Sequence, residues 1–356
     1  MTDNTWPTVD TELIDDVTLY SAKLIIPVTG PVIIDGAVAI HGDRVVHVGK
    51  RRWVLKALKQ EMTAHGTIHE RHWDGVLTPG LINAHTHLQY SGMVQVGQGT
   101  YDRFRAWELA FNEVYAEAQK TQPWKQWAED GARQMVESGT TAAADIVTDL
   151  DAAGALASQG MHGIAYWEVM GWHNAEWMEK GRTELIRQLR RMNEEQLPNL
   201  GISPHAPYTL ESEPFVDLPD IARQLNMRLH IHLAETPLEA GTYPPVLTTY
   251  SAADWSDHDW ESYRQLKEVG KGASAIQFVD QLGSLGPDVH IAHGVWANGE
   301  DRRILRQRGV GVALCPRSNR ITNTGKDAPV REYLEEGNLV MRGHRFALQH
   351  ADPRSA

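Results

Sequence analysis

Two histidine pairs carry the strongest chemical signal in this chain. His85 and His87 lie in G-L-I-N-A-H-T-H-L, and His230 and His232 lie in R-L-H-I-H-L-A-E-T. On an extended strand, residues two apart point to the same side, so each H-x-H sets two imidazoles together. Neutral imidazole is a common ligand for zinc-like ions. A divalent ion lowers the pKa of a held water toward neutrality, and a carboxylate nearby can then carry the proton to a leaving group. Glu235, three residues past His232, is placed for that work. A bare H-x-H is more often a surface or core pair, but the first pair follows Pro79-Gly80 and closes an apolar run. Single histidines repeat the placement: His205 in P-H-A-P-Y-T-L and His293 in H-I-A-H-G-V-W. Each could be a satisfied core histidine. Chance, however, places histidines without regard to the ends of apolar runs.

The elements that must position these residues follow a simple rhythm. Short apolar runs at 80–85, 141–146, 163–169, 200–203, 228–233, 289–293, 310–314 and 338–340 alternate with amphipathic stretches. The helical candidates are 124–137, 175–193, 215–225, 261–282 and 299–308. Strand then helix, repeated about eight times, predicts an α/β fold, a (β/α)8 TIM-like barrel with catalytic residues where strands end. Before it, residues 19–73 read as short Val- and Ile-rich strands broken by Gly30, Gly36 and Gly42-Asp43, a small β-domain of hairpins. The expected division is 1–75 for the first part of a β-sandwich domain, 76–343 for the barrel and 344–356 for an aberrant tail.

Bulk properties narrow the partners. The 356 residues include 34 basic and 46 acidic side chains, for a net charge of -12. That argues against nucleic acid, whose phosphates need a basic face, and leaves a small-molecule substrate. One cysteine, Cys315, rules out a disulfide framework and suits a reducing cytoplasm. The N-terminus, M-T-D-N-T-W-P-T-V-D-T-E-L-I-D-D, is acidic and lacks the apolar stretch of a secretory signal. No apolar run is long enough to span a bilayer.

The pieces L-T-P-G-L-I-N-A-H-T-H-L, S-P-H-A-P-Y-T-L, H-I-H-L-A-E-T, A-H-G-V-W and A-L-C-P-R-S-N stand in one order and spacing. Together they resemble the amidohydrolase superfamily. The nearest branch holds cytosine, guanine and S-adenosylhomocysteine deaminases and triazine-type chlorohydrolases. The likeness covers roughly residues 19–337. It implies His85, His87 and His232 as metal ligands, Glu235 as the proton shuttle, and His293 beside the attacking water. It implies that His205 faces the substrate and that Ser318 and Asn319 shape the pocket. Binuclear branches carry a carboxylated lysine where this chain has His205, so one divalent metal is expected, and zinc or iron fits. The implied reaction is hydrolysis of a C–N bond by metal-bound hydroxide, with deamination of an amino-purine, amino-pyrimidine or related nucleoside. A triazine-type amino- or chlorohydrolase is the same-class alternative. Gln89, Tyr90, Tyr101, Phe104 and Trp107 could form an aromatic and polar wall for a flat heterocycle, or could be helix-packing core. A homo-oligomer is the expected state of an intact barrel.

One departure concerns the eighth strand. The family carries an aspartate there, usually within G-T-D-S, whereas this chain reads N-L-V-M-R-G-H-R-F-A-L from Asn338. A barrel incomplete at strand eight is therefore expected, with the returning β-segment missing. Codons permitted for Met341 to Ala347, shifted by one base, allow C-V-G-T-D-S-L, so a frameshift is the favoured reading of the tail. A genuine variant end is the alternative reading of the tail, and a non-catalytic truncated remnant is the rival to an enzyme. The resemblance makes that aspartate the fourth metal ligand, so the chain as given is expected to be nearly inactive. Resequencing the gene past codon 340 decides between the two readings of the tail: a G-T-D-S-like run in a neighbouring frame is expected, and its absence from every frame removes the frameshift idea.

Overall fold

Eight parallel strands, paired in chain order, build the larger part of the molecule. They are β5 (Leu81–Thr86), β6 (Thr140–Val147), β7 (His162–Val169), β8 (Leu200–Pro204), β9 (Arg228–Leu233), β10 (Val289–His293), β11 (Gly311–Leu314) and β12 (Leu339–Arg342). The structure is a computed structural model that describes residues 13–194, 199–241 and 269–343. Candidate helix 261–282 falls partly, and the tail 344–356 wholly, outside the described residues.

Parallel strands buried on both faces read as continuous apolar runs. Accordingly β9 is buried from Leu229 to Leu233, and β10 buries Val289, Ile291 and Ala292. Helices cover the outer face. Trp124–Glu137 turns Trp124, Ala128, Ala132 and Met135 inward, a 3.6-residue stripe. Gly299–Arg308 starts at a capping box between Asn298 and Asp301 and stops at Gly309, whose φ of 70° is left-handed. These strands and helices are those expected for a (β/α)8 barrel. Among the described residues no backbone pairing joins β12 to β5, yet the ends come close. A Cβ added to Gly343 would meet the Cβ of His85 at 2.8 Å. The sheet is thus nearly closed.

The chain divides between Gly80 and Leu81. The first unit holds a four-stranded sheet in the order β3-β2-β1-β4, from β1 (Ile14–Ile25), β2 (Ile33–His41), β3 (Arg44–Lys50) and β4 (Met62–Leu77). The antiparallel run β1-β2-β3 is the hairpin structure the sequence suggests. The helix Arg51–Glu61 and the long β4, parallel to β1, are not. R-R-W-V-L-K-A-L-K-Q-E is mostly charged and buries only Val54 and Leu58, against Val17, Leu19, Ala37 and Ala39. No residue of β4 is fully buried, so its sequence carries little alternation to read.

Glu70 on β4 accepts hydrogen bonds from Arg51 Nε and Nη2, both at 2.6 Å, and from Ser21 Oγ at 2.6 Å. The guanidinium first, then the hydroxyl, hold its carboxyl down at about 2. A folded-state pKa below the unfolded one stabilises at pH above the unfolded value, and that contribution is lost as pH falls toward the folded one. Chemical denaturation from pH 5 to pH 2 should therefore show a steeper acid-side loss in the wild type than in Glu70→Gln. Identical slopes would remove this ion pair from the stability of the unit.

Candidate active site

The two H-x-H pairs meet inside the barrel. β5 and β9 lie four strands apart in an eight-stranded order, so their inward residues face each other across the lumen. The result is two rungs. His85 Nδ1 lies 3.0 Å from His230 Nε2, and His87 Nε2 lies 3.3 Å from His232 Nε2. All four rings are buried.

Burial decides the charge of the lower rung. Desolvation, then the neighbouring His290 and His293, hold the His230 pKa well below its ordinary value, so it is neutral. A neutral His230 can share one hydrogen bond with His85, and where His85 donates at Nδ1 its Nε2 is left as a ligand nitrogen. In the upper rung His232 Nδ1 lies 3.1 Å from the carbonyl oxygen of His205, which can only accept. That fixes the His232 proton on Nδ1 and leaves Nε2, the atom facing His87, with its lone pair. Ligand atoms of His85, His87 and His232 lie within 4.8 Å of one another. Three convergent imidazoles can hold a divalent ion.

A second group, Glu168, His205 and His232, also converges. Glu168 Oε1 lies 4.0 Å from His205 Nε2 and 3.8 Å from His232 Nδ1. Because the Nδ1 proton of His232 serves the His205 carbonyl, this group reads as a polar wall beside the first rather than a second ion site.

Glu235 is buried just past β9. Its Oε2 accepts from the Tyr208 hydroxyl at 3.1 Å, and its Oε1 lies 3.4 Å from His293 Nε2. His293 Nδ1 is 2.9 Å from Asn319 Oδ1, an acceptor, so the proton is on Nδ1 and Nε2 faces the carboxylate. The His293 ring centroid stands 5.4 Å from that of His85 and 5.6 Å from that of His232. The arrangement can pass a proton between Glu235 and a group held at the three histidines.

His205 Nδ1 is 2.8 Å from Thr209 Oγ1, which keeps Nε2 on the Glu168 side. Asn319 and Ser318 lie buried on the short helix Pro316–Ile321 after β11. Gln89 donates to Thr148 Oγ1 at 2.5 Å and accepts from Thr148 N at 2.8 Å, tying the turn after β5 to the end of β6. Trp107 is buried between Phe104 and Phe111, and Phe104 reaches Tyr208 edge-on at 6.4 Å. Tyr90 stacks on His87 at 5.5 Å. Tyr101 donates to Val96 O.

Four buried residues at the site escape the sequence reading: Asp145, Glu168, Tyr208 and Glu239. Asp145 accepts from Leu88 N at 2.9 Å, and burial pushes its carboxyl up to about 8. Asp145 and Glu168 are each the one acid in an apolar strand, T-T-A-A-A-D-I-V and H-G-I-A-Y-W-E-V, and that is the signal that could have found them. Tyr208 lies inside the motif that holds His205.

Residues 76–243 match the model of the amidohydrolase family. They belong to an amidohydrolase-family domain. The domain's relatives include a 5-methylthioadenosine/S-adenosylhomocysteine deaminase of Moorella thermoacetica, 29% identical over 331 residues, with 90% of this chain and 67% of that protein covered. A 5'-deoxyadenosine deaminase of Methanopyrus kandleri is 30% identical over 274 residues, covering 75% of this chain and 56% of that protein. The chain thus spans between 56% and 67% of the length of these two relatives. Among solved structures, a zinc-bound adenosine deaminase from Xanthomonas campestris shares the fold at a TM-score of 0.69 and 20% identity, over 94% of this chain and 70% of that one. The atrazine chlorohydrolase TrzN of Arthrobacter aurescens does so at a TM-score of 0.71 and 19% identity, over 92% and 72%. At such identities the structural likeness speaks for the amidohydrolase barrel alone.

Proposed function

We propose that this chain hydrolyses a C–N bond with the help of one divalent metal and releases ammonia from an amino-purine, an amino-pyrimidine or a related nucleoside. The observation that carries the reading is the convergence of His85, His87 and His232 beside the Glu235–His293 pair. The two curated relatives named above are by name deaminases of 5-methylthioadenosine/S-adenosylhomocysteine and of 5'-deoxyadenosine, which favours deamination over the triazine reaction.

The donor set fits such an ion. Three imidazoles suffice for a catalytic zinc site, the carbonyl of His205 already fixes the tautomer of His232, and zinc is the expected metal with iron as the other candidate. A bound ion would supply Lewis-acid activation of water near neutral pH. The chain's own residues do the rest. Glu235 takes a proton from the attacking water and returns it to the leaving nitrogen. Tyr208 holds one carboxylate oxygen, and His293, oriented by Asn319, faces the other. His205 and Glu168 offer hydrogen bonds to the heterocycle, and Gln89, Trp107, Ser318 and Asn319 shape its side of the pocket. Among the described residues no helix is long and apolar enough to cross a membrane. The single cysteine favours a reducing cytoplasm, and the acidic balance disfavours nucleic acid as a partner.

Two measurements test the reading. Metal analysis of the purified chain should find about one zinc or iron per chain, as a three-imidazole site holds a single ion. His232→Ala should lose it, and full occupancy in that variant would sink the ligand assignment. A metal-free wild type would favour the non-catalytic remnant. Separately, Glu235→Gln should keep its metal and lose ammonia release by on the order of 10²–10⁴-fold. Near-normal turnover in that variant would refute the proton-transfer role.

A further inference from the structure

Glu239 has no part in the chemistry above, yet it is fully buried four residues after Glu235. Its carboxylate is engaged almost wholly with backbone. Oε1 accepts from Ala234 N at 2.8 Å; Oε2 accepts from Glu235 N at 2.8 Å and from Thr236 N at 2.9 Å. The Thr236 hydroxyl adds a longer contact at 3.3 Å. Three successive N–H groups converging on one carboxyl group form a nest, which turns the backbone sharply and opposes the burial that pushes this carboxyl up to about 8.

The turn is one this sequence does not favour. Ala234 has a φ of 54°, in the left-handed region that residues with a Cβ avoid. On the carbonyl side the same peptide is fixed by Trp296 N, which donates to Ala234 O at 2.8 Å. Such conformations persist where the surroundings over-determine them, and here the surroundings are Glu239 on one side and the chain after β10 on the other. The turn is what swings Glu235 off the strand line, toward Tyr208 and His293.

We infer that Glu239 is a positioning residue for Glu235: its carboxylate clamps the left-handed turn at Ala234 and so aims the proton-transfer group into the site. This inference rests on the function proposed above. A glutamine at 239 keeps one carbonyl oxygen but presents an NH2 group to N–H donors, so the clamp loses acceptors while side-chain volume is kept. A residue that merely capped the loop would change stability and leave the balance of kcat and KM alone.

The test compares the metal-loaded full chain with Glu239→Gln, Glu239→Ala, Glu235→Gln and the double variant Glu235→Gln/Glu239→Gln. It reads metal content, ammonia-release kinetics and hydrogen exchange of the amides of residues 234–236. Metal content should be unchanged. In Glu239→Gln, kcat should fall on the order of 10²-fold, the cost of displacing a reacting group by about an ångström. KM should stay within about threefold, since ground-state binding is untouched. Exchange at 234–236 should quicken about tenfold or more, as local opening becomes easier. The double variant should be no slower than Glu235→Gln alone, because the two residues act as one unit. Wild-type kcat in Glu239→Gln, a raised KM with unchanged kcat, or unchanged exchange would each overturn the inference. If Glu239→Ala does not fold, the glutamine variant carries the test. If the wild type releases no ammonia from any aminoheterocycle, the proposed function falls first. The exchange arm still judges the clamp, which unaltered protection would overturn.

Discussion

Everything at this site depends on one geometric constraint: strand residues two apart share a side, and in a nearly closed barrel that side is the lumen. Two H-x-H pairs on facing strands must then meet as rungs, His85 with His230 and His87 with His232. A buried imidazole without a partner is costly, and imidazole is one of few side chains that can satisfy another of its own kind. The rungs therefore place four polar rings in a core where isolated polar groups would be excluded. They also leave ring nitrogens of three of them close enough to share one ion.

Neutrality is the second condition. A protonated ring can neither accept a hydrogen bond nor bind a cation. Burial keeps His230 neutral, and repulsion from His290 and His293 acts in the same direction. With His230 neutral, it can share a hydrogen bond with His85 rather than repel a second charge. The carbonyl of His205 fixes the His232 proton on Nδ1. The tautomer of His232 is thus set by the protein before any ion arrives, which reduces what binding must reorganise.

Backbone strain marks where strands hand over to chemistry. Ala234 and His293, neither of them glycine, have φ of 54° and 74° directly after β9 and at the end of β10. Both aim a group: the first turns Glu235 inward, the second presents His293 to that same carboxylate. Conformations of this kind cost on the order of 1–3 kcal/mol each. They survive here because Gly294 N binds Leu233 O and Trp296 N binds Ala234 O, lacing the two strand ends together. Proton-transfer geometry is therefore bound up with β9–β10 pairing, not with the side chains alone.

This division explains what the sequence made legible. The barrel could be read because each inward strand is a short apolar run, and the helices Trp124–Glu137 and Gly299–Arg308 because stripe and caps lie in the residues themselves. The histidines could be read because their type is rare at strand ends. The helix Arg51–Glu61 and β4 could not, since their faces are mostly exposed and their order in the sheet is decided by pairing between distant segments. Within the site the same limit holds. Glu235 announces itself by chemistry, but Glu239, Asp145 and Asn319 act on a backbone N–H or on another ring. Nothing in a carboxylate's identity says whether it will move a proton or hold a turn. In the structure T-P-L-E forms a capping box between Thr236 and Glu239. What the motif omits is that the capped turn contains the left-handed Ala234 and carries Glu235. A local motif thereby gains a functional role only through its surroundings in three dimensions.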